Sequence, residues 1–122
     1  MSSPFRIPET LYSGHVIRVA NVRNQAITAN TNILSINIEP TFTPSAFMII
    51  YCVFSATGSL TVKRRYEHTG TTVDEVLNEG FPFAADAAYS FSFPLDQDES
   101  INLQYSQNAT VSKLVLYESQ VM

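Results

Sequence analysis

The side chains able to do chemistry are thinly spread through this chain. Its two histidines are His15 and His68, and its one cysteine is Cys52. A metal centre needs several His, Cys or carboxylate ligands converging, typically with short-spaced pairs. Neither histidine has such a neighbour, and Glu67, beside His68, points to the other face of an extended chain. A nucleophilic site needs an activated Ser or Cys and oxyanion donors, often from a glycine-rich turn. The four glycines, Gly14, Gly58, Gly70 and Gly80, form no nucleophile elbow and no phosphate loop, and all fit turns. No catalytic residue, cofactor site or metal site is therefore assigned, and the expectation is a protein that is not an enzyme.

Three short polar motifs keep two readings each. Asp96-Gln97-Asp98-Glu99 resembles a fragment of a calcium loop but lacks the glycine and distal glutamate of an EF-hand. It also reads as an acidic solvated turn. Lys63-Arg64-Arg65 lies inside a strand, so Lys63 and Arg65 face one way while Arg64 turns towards Val62 and Tyr66 at the core rim. Lys63 and Arg65 then either guard a sheet edge against aggregation or meet an acidic partner surface. Asn108-Ala109-Thr110 is a formal glycosylation sequon that also fits a β-turn.

Composition narrows the function classes. The chain has 122 residues, which fits one domain, and a formal net charge of −4. Nucleic-acid affinity rests on clustered Lys and Arg, so a phosphate-backbone partner is not expected. Charged residues make up 15% of the chain, low against roughly 25% in an average domain. One cysteine excludes an intrachain disulfide. No signal-peptide h-region stands at Met1–Arg6, and no apolar run approaches the ~20 residues of a membrane span, so no membrane partner is expected.

The elements that would hold any site follow a period of two. Leu34, Ile36 and Ile38 alternate with Ser35, Asn37 and Glu39, and Tyr89, Phe91 and Phe93 with Ser90, Ser92 and Pro94. Ile101, Leu103 and Tyr105 alternate with Asn102 and Gln104, and Leu60 and Val62 with Thr61 and Lys63. Such alternation puts one apolar face inward on each strand. Ala46–Phe54 is apolar on both parities, as expected of a central strand covered on both sides. Thr72–Leu77 is the one helical candidate, but its Val and Thr content favours a short strand or a loose turn. Turn-rich segments at 43–45, 56–58, 69–71, 78–80 and 96–98 divide the runs. The expectation is an all-β, antiparallel β-sandwich over residues 15–122, jelly-roll-like, with about eight strands. Residues 1–14, with Pro4 and Pro8, read as an extended N-terminal arm. Its Phe5, Ile7, Leu11 and Tyr12 either belong to a frayed end or dock on a neighbouring subunit.

Residues Asn78 to Ser119 resemble small β-sandwich decoration (cement) or minor capsid proteins of tailed phages and related viruses. Asn78, Gly80, Ala85, Ala87, Tyr89 and Phe91 match one segment of that pattern. Asn102, Leu103 and Ser106 match a second, and Glu118 closes the third. Asp86 stands where the pattern has Asn, and Ile101 where it has Tyr. The resemblance implies a structural virion protein on the capsid surface, made in the host cytoplasm. It also implies a homo-oligomer, a trimer above all, that contacts the major capsid protein or another virion protein and stabilises the shell. Phe5, Ile7, Leu11, Tyr12, Lys63 and Arg65 are the expected partner-binding residues. The alternative is a receptor- or glycan-binding virion appendage domain. Sugar sites usually stack their ligand on exposed aromatics; this chain has no Trp, and most of its Phe and Tyr fall on core parities.

Overall fold

Strand alternation dominates the architecture. The computed structural model describes residues 16–42 and 45–120. It contains β1 (Val16–Ile27), β2 (Ser45–Phe54), β3 (Leu60–Tyr66), β4 (Thr71–Val76), β5 (Ala88–Asp96), β6 (Glu99–Tyr105) and β7 (Ala109–Gln120). No helix occurs among the described residues. The strands form one sheet in the order β1-β7-β2-β5 and a second in the order β4-β3-β6. Every pairing is antiparallel. The chain is thus an all-β sandwich of two antiparallel sheets. The expected arm at residues 1–14 lies outside the described residues.

The eighth expected strand is present in irregular form. Asn32 and Ile38 bridge Gln104 and Ile101 of β6, which lays segment 32–38 along the free side of that strand. Counted in, it completes a second four-membered sheet. Every link except β3–β4 then crosses from one sheet to the other, the connectivity of a jelly roll. The alternation anticipated for Leu34, Ile36 and Ile38 does not hold. Ile33 and Leu34 are buried, whereas Ile36 is 72% exposed. The cause is a length mismatch. The Ile33 amide donates to the Leu103 carbonyl, and Ile38 and Ile101 exchange backbone hydrogen bonds. Five steps of one chain therefore span two of the other, and the surplus is thrown outward at Ile36.

Thr72–Leu77 is extended: most of it forms β4, an edge strand paired with β3. β-branched residues lose side-chain freedom in a helix and sit well on a pleated surface, which decides the choice.

The core is the set of inward residues that alternation singles out. Met48, Ile50, Cys52 and Phe54 of β2 meet Leu60 and Val62 of β3 and Ile101, Leu103 and Tyr105 of β6. Burying each large aliphatic or aromatic side chain contributes roughly 1.5–3 kcal/mol. One end is closed by aromatics: Phe54 stacks on Tyr105 at 3.9 Å and Phe83 on Tyr89 at 4.2 Å between centroids. Gly58 is required there, since a Cβ would lie 2.9 Å from the Tyr105 ring and 2.8 Å from Ser106 Oγ. Burial pushes the Cys52 thiol up to about 12, so it is neutral near pH 7 and packs as a small hydrophobe.

Candidate protein-interaction surface

β2 is the third strand of its sheet, with β7 on one side and β5 on the other. Its inward residues are buried in the core. Its outward residues are Phe47, Ile49, Tyr51 and Val53, and among the described residues no second layer covers them. Phe47 is 46% exposed and Tyr51 49%. The sequence anticipated cover on both faces of Ala46–Phe54, by the core on one and by a second layer, an arm or another subunit on the other; among the described residues the core covers the first.

Strand register extends this stripe into a face. Phe47 lies between Pro94 and Ser119, and Ser119 pairs with Val16. Ile49 lies between Ser92 and Tyr117, which pairs with Arg18. Tyr51 lies between Ser90 and Val115, which pairs with Asn21. Val53 lies between Ala88 and Lys113, which pairs with Arg23. The middle of the face is apolar and one flank is basic. No acidic residue stands in these four rows. Arg18, Arg23 and Lys113 form no ion pair among the described residues. An exposed apolar patch with a charged border is the usual composition of a protein-binding surface.

The three-stranded sheet handles charge differently. Arg64 points inward, as the parity of its strand requires, and is 5% exposed. Its Nε and one terminal nitrogen donate to Glu75 at 3.0 Å each, and the other terminal nitrogen donates to Glu99 Oε1 at 2.6 Å and to the Pro94 carbonyl at 2.9 Å. The Phe93 ring lies 5.8 Å from the guanidinium carbon. Burial works against the charged form, but the hydrogen bonds that Arg64 donates to Glu75 and Glu99 outweigh it and hold the Arg64 pKa above its ordinary value.

Lys63 and Arg65 lie on the outward face of that sheet. Lys63 is 2.7 Å from Asp74, and Arg65 is 3.4 Å from Glu67. Beside them a shallow cleft of about 230 Å³ is lined by Asn32, Asn37, Lys63, Arg65, Thr72 and Asn102. His68, at the adjoining turn, pairs with Asp98. Phe5, Ile7, Leu11 and Tyr12, the other expected partner-binding residues, lie outside the described residues.

A further cleft of about 580 Å³ opens between β1 and segment 32–38, where Val19, Val22, Ile33 and Ile38 face each other.

Four of the residues that carry the C-terminal resemblance, Asn78, Asn102, Ser106 and Glu118, are fasteners. Asn78, 1% exposed, accepts from the Leu60 amide and donates to the Gly58 and Phe81 carbonyls. Asn102 accepts from the Leu34 and Leu103 amides and donates to the Leu34 carbonyl and Asn37 Oδ1. Ser106 Oγ accepts from the Ser59 amide. Glu118, fully buried, uses Oε2 to accept from the Thr41 and Phe42 amides, while its Oε1 has no partner among the described residues. Asp86, at the position where Asn is usual, has φ of +63°, a conformation that Asn and Asp tolerate better than most residues. The side chains of Asn78, Asn102, Ser106 and Glu118 satisfy backbone groups of turns and crossovers. The motif therefore specifies how the sandwich is pinned, and the pinning side chains point inward.

The basic flank was not legible in the sequence. Arg18, Arg23 and Lys113 are far apart in the chain, and only the pairing of β1 with β7 gathers them. No His, Cys, Asp or Glu cluster of three or more that could hold a metal occurs among the described residues.

No family model matches the chain, and no curated protein matches it. Among solved structures it is similar to one from Bacillus endospore appendages, a family of disulfide-linked pili. That match has a TM-score of 0.44 and 16% identity, and covers 89% of this chain and 91% of the other. It is also similar to the CBM22-1 xylan-binding domain from Paenibacillus barcinonensis, with a TM-score of 0.43 and 13% identity. That match covers 68% of this chain and 60% of the xylan-binding chain.

Proposed function

We propose that this domain is a structural subunit of a surface assembly and works by protein–protein contact rather than by catalysis. The observation that carries the reading is the outward face of the four-stranded sheet: Phe47, Ile49, Tyr51 and Val53 uncovered in a row, bordered by Arg18, Arg23 and Lys113. Aromatic and arginine side chains dominate the energetics of such interfaces. A stable contact removes on the order of 800 Å² from each partner. In this reading the arm at residues 1–14 adds a second contact through Phe5, Ile7, Leu11 and Tyr12. The setting that the C-terminal resemblance implies is a virion, with the domain decorating a capsid as a trimer against the major capsid protein.

A second reading is a ligand-binding appendage domain with a glycan in the cleft of the three-stranded sheet. The amides of Asn32 and Asn37, the Thr72 hydroxyl and the side chains of Lys63 and Arg65 offer hydrogen-bonding groups that suit sugar hydroxyls. The absence of an aromatic platform among the cleft residues places it second.

Site-specific photocrosslinking separates the two readings. A benzophenone amino acid replaces Tyr51 in one full-length variant and Thr72 in another, and each is irradiated in the cells or particles that make it. The expected result is a discrete protein adduct at position 51. No protein adduct there, with a saccharide adduct at position 72, would overturn the assembly reading.

A further inference from the structure

We infer that the partner of the basic, apolar face is a second copy of this chain, docked through the acidic free edge of its three-stranded sheet. The inference rests on the assembly reading above and names its partner. Charge decides the geometry. The face carries Arg18, Arg23 and Lys113 and no carboxylate in the rows through Phe47, Ile49, Tyr51 and Val53. Packing two such faces together, as a two-fold symmetric contact requires, would bring like charges together at one interface. A complementary surface must instead be acidic and partly apolar.

The chain itself has such a surface. Residues 73–81 run along the free edge of β4 and into the following turn. They expose Val73 at 41%, Val76 at 42% and Phe81 at 49%. Asp74, Glu75 and Glu79 are interleaved with them. The side chains of Asp74 and Glu75 are 55% and 40% exposed although each pairs with a basic residue of β3. Glu79 is exposed and has no ion pair among the described residues. The three-stranded sheet with its turns holds Lys63, Arg64 and Arg65 against Glu67, Asp74, Glu75, Glu79, Asp98 and Glu99. It is therefore net acidic where the other sheet's outer face is net basic. An edge strand also offers unpaired backbone groups that favour contact. The face and the edge belong to different sheets, so each copy can engage two neighbours at once. Such a heterologous contact builds a ring or an open array.

Sedimentation velocity of the full chain tests this. Wild-type protein should associate as its concentration rises, and added salt should disperse it because the contact is charge-assisted. The double variant Arg18→Glu, Arg23→Glu reverses the face, and Asp74→Lys, Glu79→Lys reverses the edge. Each alone should remain monomeric, and an equimolar mixture should associate again, since both complementary contacts are restored. All four positions are exposed, and circular dichroism confirms that each variant keeps its strands. Wild-type protein that stays monomeric, or associates independently of salt, overturns the inference. An edge variant that associates as wild type does overturns it as well, because that result belongs to face-to-face packing. If the inference fails while Tyr51 still crosslinks to a different protein, the assembly reading stands with a foreign partner. If no protein adduct forms, both fall.

Discussion

The outward faces of the two sheets solve the same problem in opposite ways. Both belong to a chain with few charges and both alternate between core and surface. On the three-stranded sheet the charged and amide side chains are consumed by one another: Lys63 by Asp74, Arg65 by Glu67, Gln104 by Asn32, and Asn102 by the 32–38 segment. Arg64 is sealed beneath by Glu75 and Glu99. On the four-stranded sheet the outward side chains of β2 are apolar, and Arg18, Arg23 and Lys113 form no ion pair among the described residues. Internally satisfied polar groups give up little by facing water. Uncovered aromatics beside unpaired cations gain by meeting a partner. The difference separates a surface that holds the fold from one suited to contact.

Four substitutions would break or sharpen that contrast. The largest effect is expected at the sealed arginine. Arg64→Met leaves the largely buried Glu99 without its counter-charge, and removing one partner of a buried ion pair costs about 3–5 kcal/mol. The unfolding free energy from urea titration should fall by that margin; an unchanged value would mean the cluster is solvated rather than sealed. Next comes Asn102→Ala, which frees the Leu34 backbone groups and leaves buried donors and acceptors unpaired, at about 1–3 kcal/mol. Hydrogen exchange at the Leu34 amide should accelerate selectively, since that amide donates to the Asn102 side chain. The smallest effect belongs to exposed charge. Lys63→Ala should cost less than about 1 kcal/mol, because a half-exposed ion pair is screened and entropically costly to hold. Arg18→Ala, with no ion pair to lose among the described residues, should leave thermal stability within about 0.5 kcal/mol of wild type. A marked loss at Arg18 would show that the basic flank holds the fold together after all.

Much of the fold was legible in the residues themselves. Period-two alternation through β3, β5 and β6 assigns strand and inward face together, because an extended backbone offers no other way to segregate those side chains. The inward turn of Arg64 follows from the same parity. Segment 32–38 shows where this logic fails. Its alternation was real, yet five of its steps must span two of β6, so tertiary hydrogen bonds override the local pattern and expel Ile36.

The candidate surface divides along the same line. Sequence alone marked Ala46–Phe54 as apolar on both parities, since that is a property of consecutive residues. It could not tell whether the second face is covered, because coverage depends on which elements pack above the sheet. Nor could it assemble the basic flank, whose members stand at positions 18, 23 and 113 and meet only when β7 pairs with β1. The fasteners Asn78, Asn102 and Glu118 were recognisable as a pattern, but their work became visible only with their distant partners, such as Leu60, Leu34 and Thr41, 18 to 77 residues away. Local chemistry fixes what each strand can bury, and long-range pairing decides which residues share a surface.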